Sequence, residues 1–391
     1  MKKLSILLFE GILALHFFAS CVDHSDLFES PQTPISKCLS EEEAIDIALS
    51  FVDLTRSEMD AVLYTEVITS DMIAQSQCET RAADQSLCID TLMYLVKGLE
   101  TPILLSAKRG NPVVYAIFDH REASLIDALR NPSDVNYGLL SILSKALLSS
   151  GLDYENDPND NTDPTRPDDG YTGIHVTPVT VGPKIPVEWD QWSPFNRYCP
   201  TGCPAGCVAI ATAQAMMVTR HVGRFNGIDL NYDSLIRMKD RSKMALYPAQ
   251  ADTIAMLVRQ IGNAVGMDYS TDGSGARTSD AIDLFTFGGF MYLSTNKSNI
   301  RTTLEDYNDG IVIISSRTQT DFLGIPRGKG HCYVVDGFKI FQNGRDLLHV
   351  NYGQGPGYNG YFLSNLMAPY FTDDAPFTYP HEWKFYCLYN H

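Results

Sequence analysis

The spacing of apolar residues changes character along this chain, and each change predicts an element. Residues 40–52 carry apolar side chains at 44, 45, 47, 48, 51 and 52, the spacing of one helical face. Ser40 and the three glutamates behind it supply a cap and an acidic first turn. The short runs 91–96, 103–106 and 112–118 have strand-like content, and 126–129 and 137–148 read as helical. Together these predict a small α+β domain ending near Ser150. Residues 208–218 behave differently. They are apolar on every face except at Thr212 and Gln214, which predicts a helix buried on all sides. A second, amphipathic helix is expected over 248–265 and a loop over 267–276, followed by strands at 311–315, 332–335, 347–352 and 360–363. A helical half followed by a β half predicts a larger α+β domain over residues 174–391.

Between the two domains the pattern fails. Residues 151–170 hold seven acidic residues, three prolines and one arginine, with little to bury, and read as a solvated linker open to proteolysis. Asp157, Asn159, Asn161 and Asp163 alternate like calcium ligands, but the mid-loop glycine and the downstream glutamate are missing. At the other end, Lys2 and Lys3 precede a mostly apolar stretch to Phe18, as in an export signal, although Glu10 and His16 interrupt it. The polar, proline-containing residues 22–37 read as a tether. No later run is long and apolar enough to suggest a transmembrane helix.

Composition narrows the function. The net charge of −17 over 391 residues leaves no basic patch for phosphates, so nucleic acid is not an expected partner. The Gly-Ser-Gly at 273–275 lacks the strand and the Lys-Ser/Thr pair of a phosphate loop. Of the nine cysteines, Cys78, Cys88, Cys199 and Cys203 could form disulfides that spacing alone does not assign. Cys199, Cys203 and Cys207 recur every four residues, unlike the C-x-x-C of zinc sites, and prolines interrupt them. No metal or cofactor is therefore expected.

Cys207 carries the candidate chemistry. Pro204-Ala205-Gly206 forms a turn that delivers it to the first turn of the buried helix, where unpaired N–H groups and the macrodipole favour an anion. A thiol there is expected to have a lowered pKa and to act as a nucleophile. The alternative is a free cysteine beside a core helix. A nucleophile needs a histidine, and the larger domain offers 175, 221, 331, 349, 381 and 391. His221 lies about 21 Å along the same helix, out of reach. His331 sits in a glycine-flanked loop at the start of a strand. His349 is its rival, in a strand where Asn351 shares its face.

Ala205 to Gln214, Gly330 to Gly337, His349 to Gly353, Asn359 to Leu363 and the Trp189 to Asn196 segment occur in one order. In that order they resemble the motifs of the streptopain family of bacterial cysteine peptidases, which have a papain-like fold. The resemblance implies Cys207 as nucleophile, His331 as base and acid, Gln191 as oxyanion donor and Asn351 as the residue that orients His331. It makes His349 a structural strand residue. It also implies an inhibitory prodomain over 22–150, an activation cleavage in the linker 151–173, a peptidase domain over 174–391 and polypeptide substrates. Phe18-Ala19-Ser20-Cys21 resembles a bacterial lipobox, which implies a lipoprotein-type signal over 1–21, a lipid anchor at Cys21 and an exported protein. Tyr352 and Gln354 stand where the family carries tryptophans, which implies a more polar pocket, and Cys332 replaces a small residue. Those replacements motivate a second reading, a catalytically silent surface lipoprotein that uses the scaffold to bind protein.

One count constrains the assignment of Asn351. A two-residue hairpin at Asn343-Gly344 would pair Asn351 with Asp336, on the face away from His331. Contact between Asn351 and His331 requires a bulge, for which Gly337 is the natural site, or an earlier turn.

Overall fold

The computed structural model describes residues 38–51, 62–69, 91–107, 114–121, 179–296, 298–318, 330–341, 346–363 and 381–390. The signal and tether, the helices expected within 126–148, the acidic linker, and His175 and His391 lie outside the described residues, as do Cys78 and Cys88.

Helix α1 (Glu41–Phe51) starts where the pattern predicts. Glu43 N–H donates to Ser40 Oγ at 3.2 Å, and Ser40 N–H donates to the Glu43 carboxylate at 2.7 Å, a reciprocal cap. Four strands follow: β1 (Tyr64–Thr69), β2 (Thr91–Lys97), β3 (Ile103–Ser106) and β4 (Val114–Phe118). β1 is an addition to the expected set. Its Glu66 and Thr65 break the apolar run, and it is held by antiparallel pairing to β2.

The larger part opens with β5 (Val179–Val181) and helix α2 (Cys207–Thr219). Residues 208–217 of α2 are all buried, Thr212 and Gln214 included, as its unbroken apolar run requires. Then come the β6–β7 hairpin (Arg224–Phe225, Ile228–Asp229), a single helical turn at Tyr232–Leu235, α3 (Pro248–Ala264) and α4 (Thr278–Thr286). The chain finishes with β8 (Tyr292–Ser294), α5 (Asn299–Asp306), β9 (Ile311–Thr318), β10 (Gly330–Ile340), β11 (Asp346–Asn351), β12 (Gly360–Leu363) and β13 (His381–Tyr389). Among the described residues, no helix is long and apolar enough to cross a membrane.

The strands form one antiparallel sheet in the order β1-β2-β3-β4-β12-β11-β10-β9-β13-β8, with β5 pairing the end of β10. The N-terminal strands are therefore not a separate sheet. β4 joins β12 through Gly360↔Phe118, Tyr361↔Ile117 and Phe362↔Ala116, and Lys37–His391 form one compact unit. One apolar core lies under α1, α5 and the middle of this sheet. A second surrounds α2, α3 and α4 and takes in Cys332 and Val334 of β10. The larger part is thus a helical half packed on an antiparallel β half, the α+β arrangement the pattern predicts.

Candidate active site

Gly206 precedes α2 with φ +92°, a conformation that disfavours side chains. A Cβ there would meet the Met267 side chain at 2.7 Å and the Ser274 carbonyl at 3.3 Å. The turn before it is tied down on both sides. Ala205 N–H donates to Gln191 O at 2.8 Å, and Ser274 Oγ–H donates to Pro204 O at 2.6 Å. Cys207 thus begins the helix with its sulfur beside the N–H groups of Cys332, Val208 and its own residue.

Dense packing around that sulfur pushes the thiol pKa up, and the three N–H groups oppose the shift without overcoming it. This corrects the expectation of a lowered pKa. The helix N-terminus acts as expected, but desolvation outweighs it in this conformation.

His331 is the second residue of β10, in register with Ser316 of β9. Its Nε2 lies 3.0 Å from the Tyr352 carbonyl. The ring stacks on Tyr333 at 5.8 Å and on Tyr352 at 6.3 Å. Burial lowers its pKa to about 4, although the Tyr352 carbonyl acts in the opposite direction. At neutral pH the ring is uncharged, and a proton on Nε2, donated to Tyr352, leaves Nδ1 as the basic nitrogen. The amide of Cys332, the residue after His331, reaches the Cys207 sulfur. Along β10, Cys332 and Val334 pack into the core around α2, whereas Tyr333 packs into the other core.

His221 and His349 lie elsewhere. His221 is beyond the end of α2, with its ring 4.7 Å from Phe285 and its Nδ1 2.8 Å from Thr219 Oγ1. His349 faces Asp336, not the thiol.

Asn351 departs from its expected role. β10 does bulge, between Val335 and Gly337, but the hairpin register beyond it also differs, with Ile340 opposite Asp346. Asn351 therefore pairs with Val334, and its side chain still lies on the α2 face of the sheet. It donates to Val187 O at 2.8 Å, and its Oδ1 accepts from Gln214 Nε2 and Gly353 N–H, both at 3.1 Å. The backbone carbonyl of the residue after Asn351, Tyr352, holds His331 Nε2. Gln191 is partly exposed, and its carboxamide has no hydrogen-bond partner among the described residues. Its backbone is fixed by Ala205 and by the neighbouring Asp190, whose buried carboxylate binds Arg241 Nε at 2.7 Å and Nη2 at 2.5 Å. Tyr352 does not make the surroundings more polar. It is buried against Tyr333 and Phe362, and its hydroxyl has no partner among the described residues. Cys199 and Cys203 are free thiols.

A second polar cluster sits where the N-terminal strands meet the larger part. His349 Nδ1 lies 2.5 Å from Asp336 Oδ1, and its Nε2 lies 2.8 Å from Asp119 Oδ2, one residue past β4. Burial opposes charge on this ring, but the two carboxylates outweigh it and raise the pKa to about 10. Asp336, the bulge residue, also accepts the N–H groups of Lys184 and Ile185 at 2.9 and 2.6 Å. Beside it, His120 Nε2 contacts Glu188 Oε1 at 2.6 Å, which raises the His120 pKa. His120 thus makes a specific contact with the larger part. Sequence could have flagged the Asp119-His120 pair only as charge at a strand end.

Residues 189–362 match the Peptidase C10 family, a span that contains Gln191, Cys207, His331 and Asn351. Among solved structures, a fragment of Prevotella intermedia prointerpain A is similar at 19% identity and TM-score 0.50, over 78% of this chain and 98% of that one. Active Prevotella intermedia interpain A cysteine protease is similar at 22% identity and TM-score 0.40, over 54% of this chain and 96% of that one. No curated protein matches the chain. The mixed helix and antiparallel-sheet fold is that of papain-like cysteine peptidases. The family match thus spans residues 189–362, the segment that carries all four candidate residues, and supports a cysteine-type peptidase.

Proposed function

We propose that this chain is the exported zymogen of an endopeptidase that cleaves polypeptides through Cys207 and His331. In the reaction, His331 Nδ1 takes the thiol proton and the thiolate attacks a peptide carbonyl. The Gln191 carboxamide and the Cys207 N–H bind the oxyanion, at about 2.7–4 kcal/mol per donor in comparable sites. His331 then protonates the leaving amine, and water hydrolyses the acyl-enzyme. The observation that carries this reading is the approach of the Cys332 amide to the Cys207 sulfur, with Tyr352 O on the far nitrogen of the adjacent His331.

Residues 22–150 act as an intramolecular inhibitor, and cleavage within 151–173 ends the inhibition. Support comes from β4 completing the sheet at β12 and from Asp119 and His120 pairing with His349 and Glu188. A neutral thiol and a neutral imidazole fit a latent state. Export rests on the signal-like residues 1–21, with Cys21 as the lipid-anchoring position.

The test is intact mass over time for purified residues 22–391, with Cys207→Ala in parallel. The parent shortens by cutting within 151–173, and the variant stays whole. If both stay whole, the linker is trimmed with a trace of another protease and peptide turnover is assayed. A trimmed protein without turnover overturns the proposal in favour of the silent binding protein.

A further inference from the structure

Gln214 is a polar residue in the middle of the all-apolar helix α2, fully buried. A buried carboxamide costs stability unless it is hydrogen-bonded, and this one is bonded at both ends. Its Oε1 accepts the N–H of Trp189 at 3.0 Å, and its Nε2 donates to Asn351 Oδ1 at 3.1 Å. The two partners lie in the two segments that serve the reaction. Trp189 is two residues before Gln191. Asn351 Oδ1 also takes Gly353 N–H, so the two bonds to Asn351 bracket Tyr352, whose carbonyl holds His331. Asn351 closes the ring by donating to Val187 O, two residues before Trp189. Gly353 itself lies against α2, where an added Cβ would sit 3.0 Å from Ile210 and 3.6 Å from Gln214 Nε2. Gln214 is seven residues from Cys207, about two turns along one helix.

We propose that Gln214 is a positioning residue that sets the oxyanion segment and the imidazole-holding carbonyl at fixed places relative to the nucleophile helix. It touches neither substrate nor the reacting atoms. It acts through Trp189 on Gln191 and through Asn351 on the Tyr352 carbonyl. This rests on the peptidase reading above and adds a residue to it.

The test uses the full chain, trimmed in the linker, with a short chromogenic peptide and active-site titration by a thiol-directed peptidyl electrophile. Gln214→Met keeps the side-chain length and removes both bonds. Per titrated site, kcat is expected to fall about a hundredfold, the cost of a misplacement near 1 Å, with KM within threefold. The acid limb of the kcat/KM profile moves, because the imidazole loses its fixed partner. In Gln214→Met with Gln191→Ala, the two losses do not add, since one acts through the other.

Gln214→Glu covers the case in which the methionine variant fails to fold. A protonated carboxylic acid reproduces both bonds, and burial raises its pKa. Its kcat relative to the parent therefore recovers as pH falls. If each titrated site of a folded variant turns over within twofold of the parent at every pH, the inference is overturned and Gln214 only stabilises the fold. A parent without Cys207-dependent turnover overturns the peptidase reading instead, so the two failures are separable.

Discussion

Asp119→Ala tests whether the N-terminal strands are clasped to the larger part through His349. The His349 ring is almost fully buried, with its side chain 4% exposed, and Asp119 is 25% exposed. The removed contact is a charge-assisted hydrogen bond of 2.8 Å, worth about 1.5–3 kcal/mol. Asp336 stays on the other nitrogen, so the ring does not become an unpaired buried charge. The expected loss therefore stays near that range and below the 3–5 kcal/mol typical of a fully orphaned ion. The assay is urea unfolding of the full chain in a Cys207→Ala background, run as a double-mutant cycle with His349→Gln. A coupling of about 1.5–3 kcal/mol is expected at pH 7.

The pH dependence has a definite sign. His349 is raised from its ordinary value to about 10, so its contribution is complete below about pH 6.5 and is lost as pH rises through 10. The coupling should shrink across that upper window. A coupling below about 0.5 kcal/mol at pH 7, the scale of additive sites, would refute the clasp. So would a coupling unchanged between pH 7 and 10.5.

Gly206→Ala should destabilise the chain by about 1–3 kcal/mol, because it combines a left-handed backbone with a 2.7 Å approach to Met267. It should also cut turnover by displacing Cys207, which thermal unfolding and a peptide assay read together. Iodoacetamide should label Cys207 in the intact chain more slowly than an ordinary cysteine at pH 7.5, because burial raises its pKa. Labelling should accelerate once the linker is cut, and peptide mapping over time would expose an equal rate in both forms.

Sequence determined the elements wherever apolar spacing was decisive. The cap at Ser40, the buried helix behind Cys207 and the strands at 103–106 and 360–363 fall where the pattern predicts. Order and chemistry also made Cys207, His331 and Gln191 legible as candidates, since a glycine turn before an all-apolar helix is a local signal. Tertiary structure decided what depends on register and burial. The N-terminal strands continue the main sheet because β4 finds the open edge of β12, a partnership no local spacing encodes. Asn351 bonds Gln214 instead of His331 because the hairpin register and the bulge at Asp336 together keep it on the α2 face. The thiol pKa went opposite to the local expectation, because a helix N-terminus can be read from sequence, whereas the protein packed over it belongs to the whole fold.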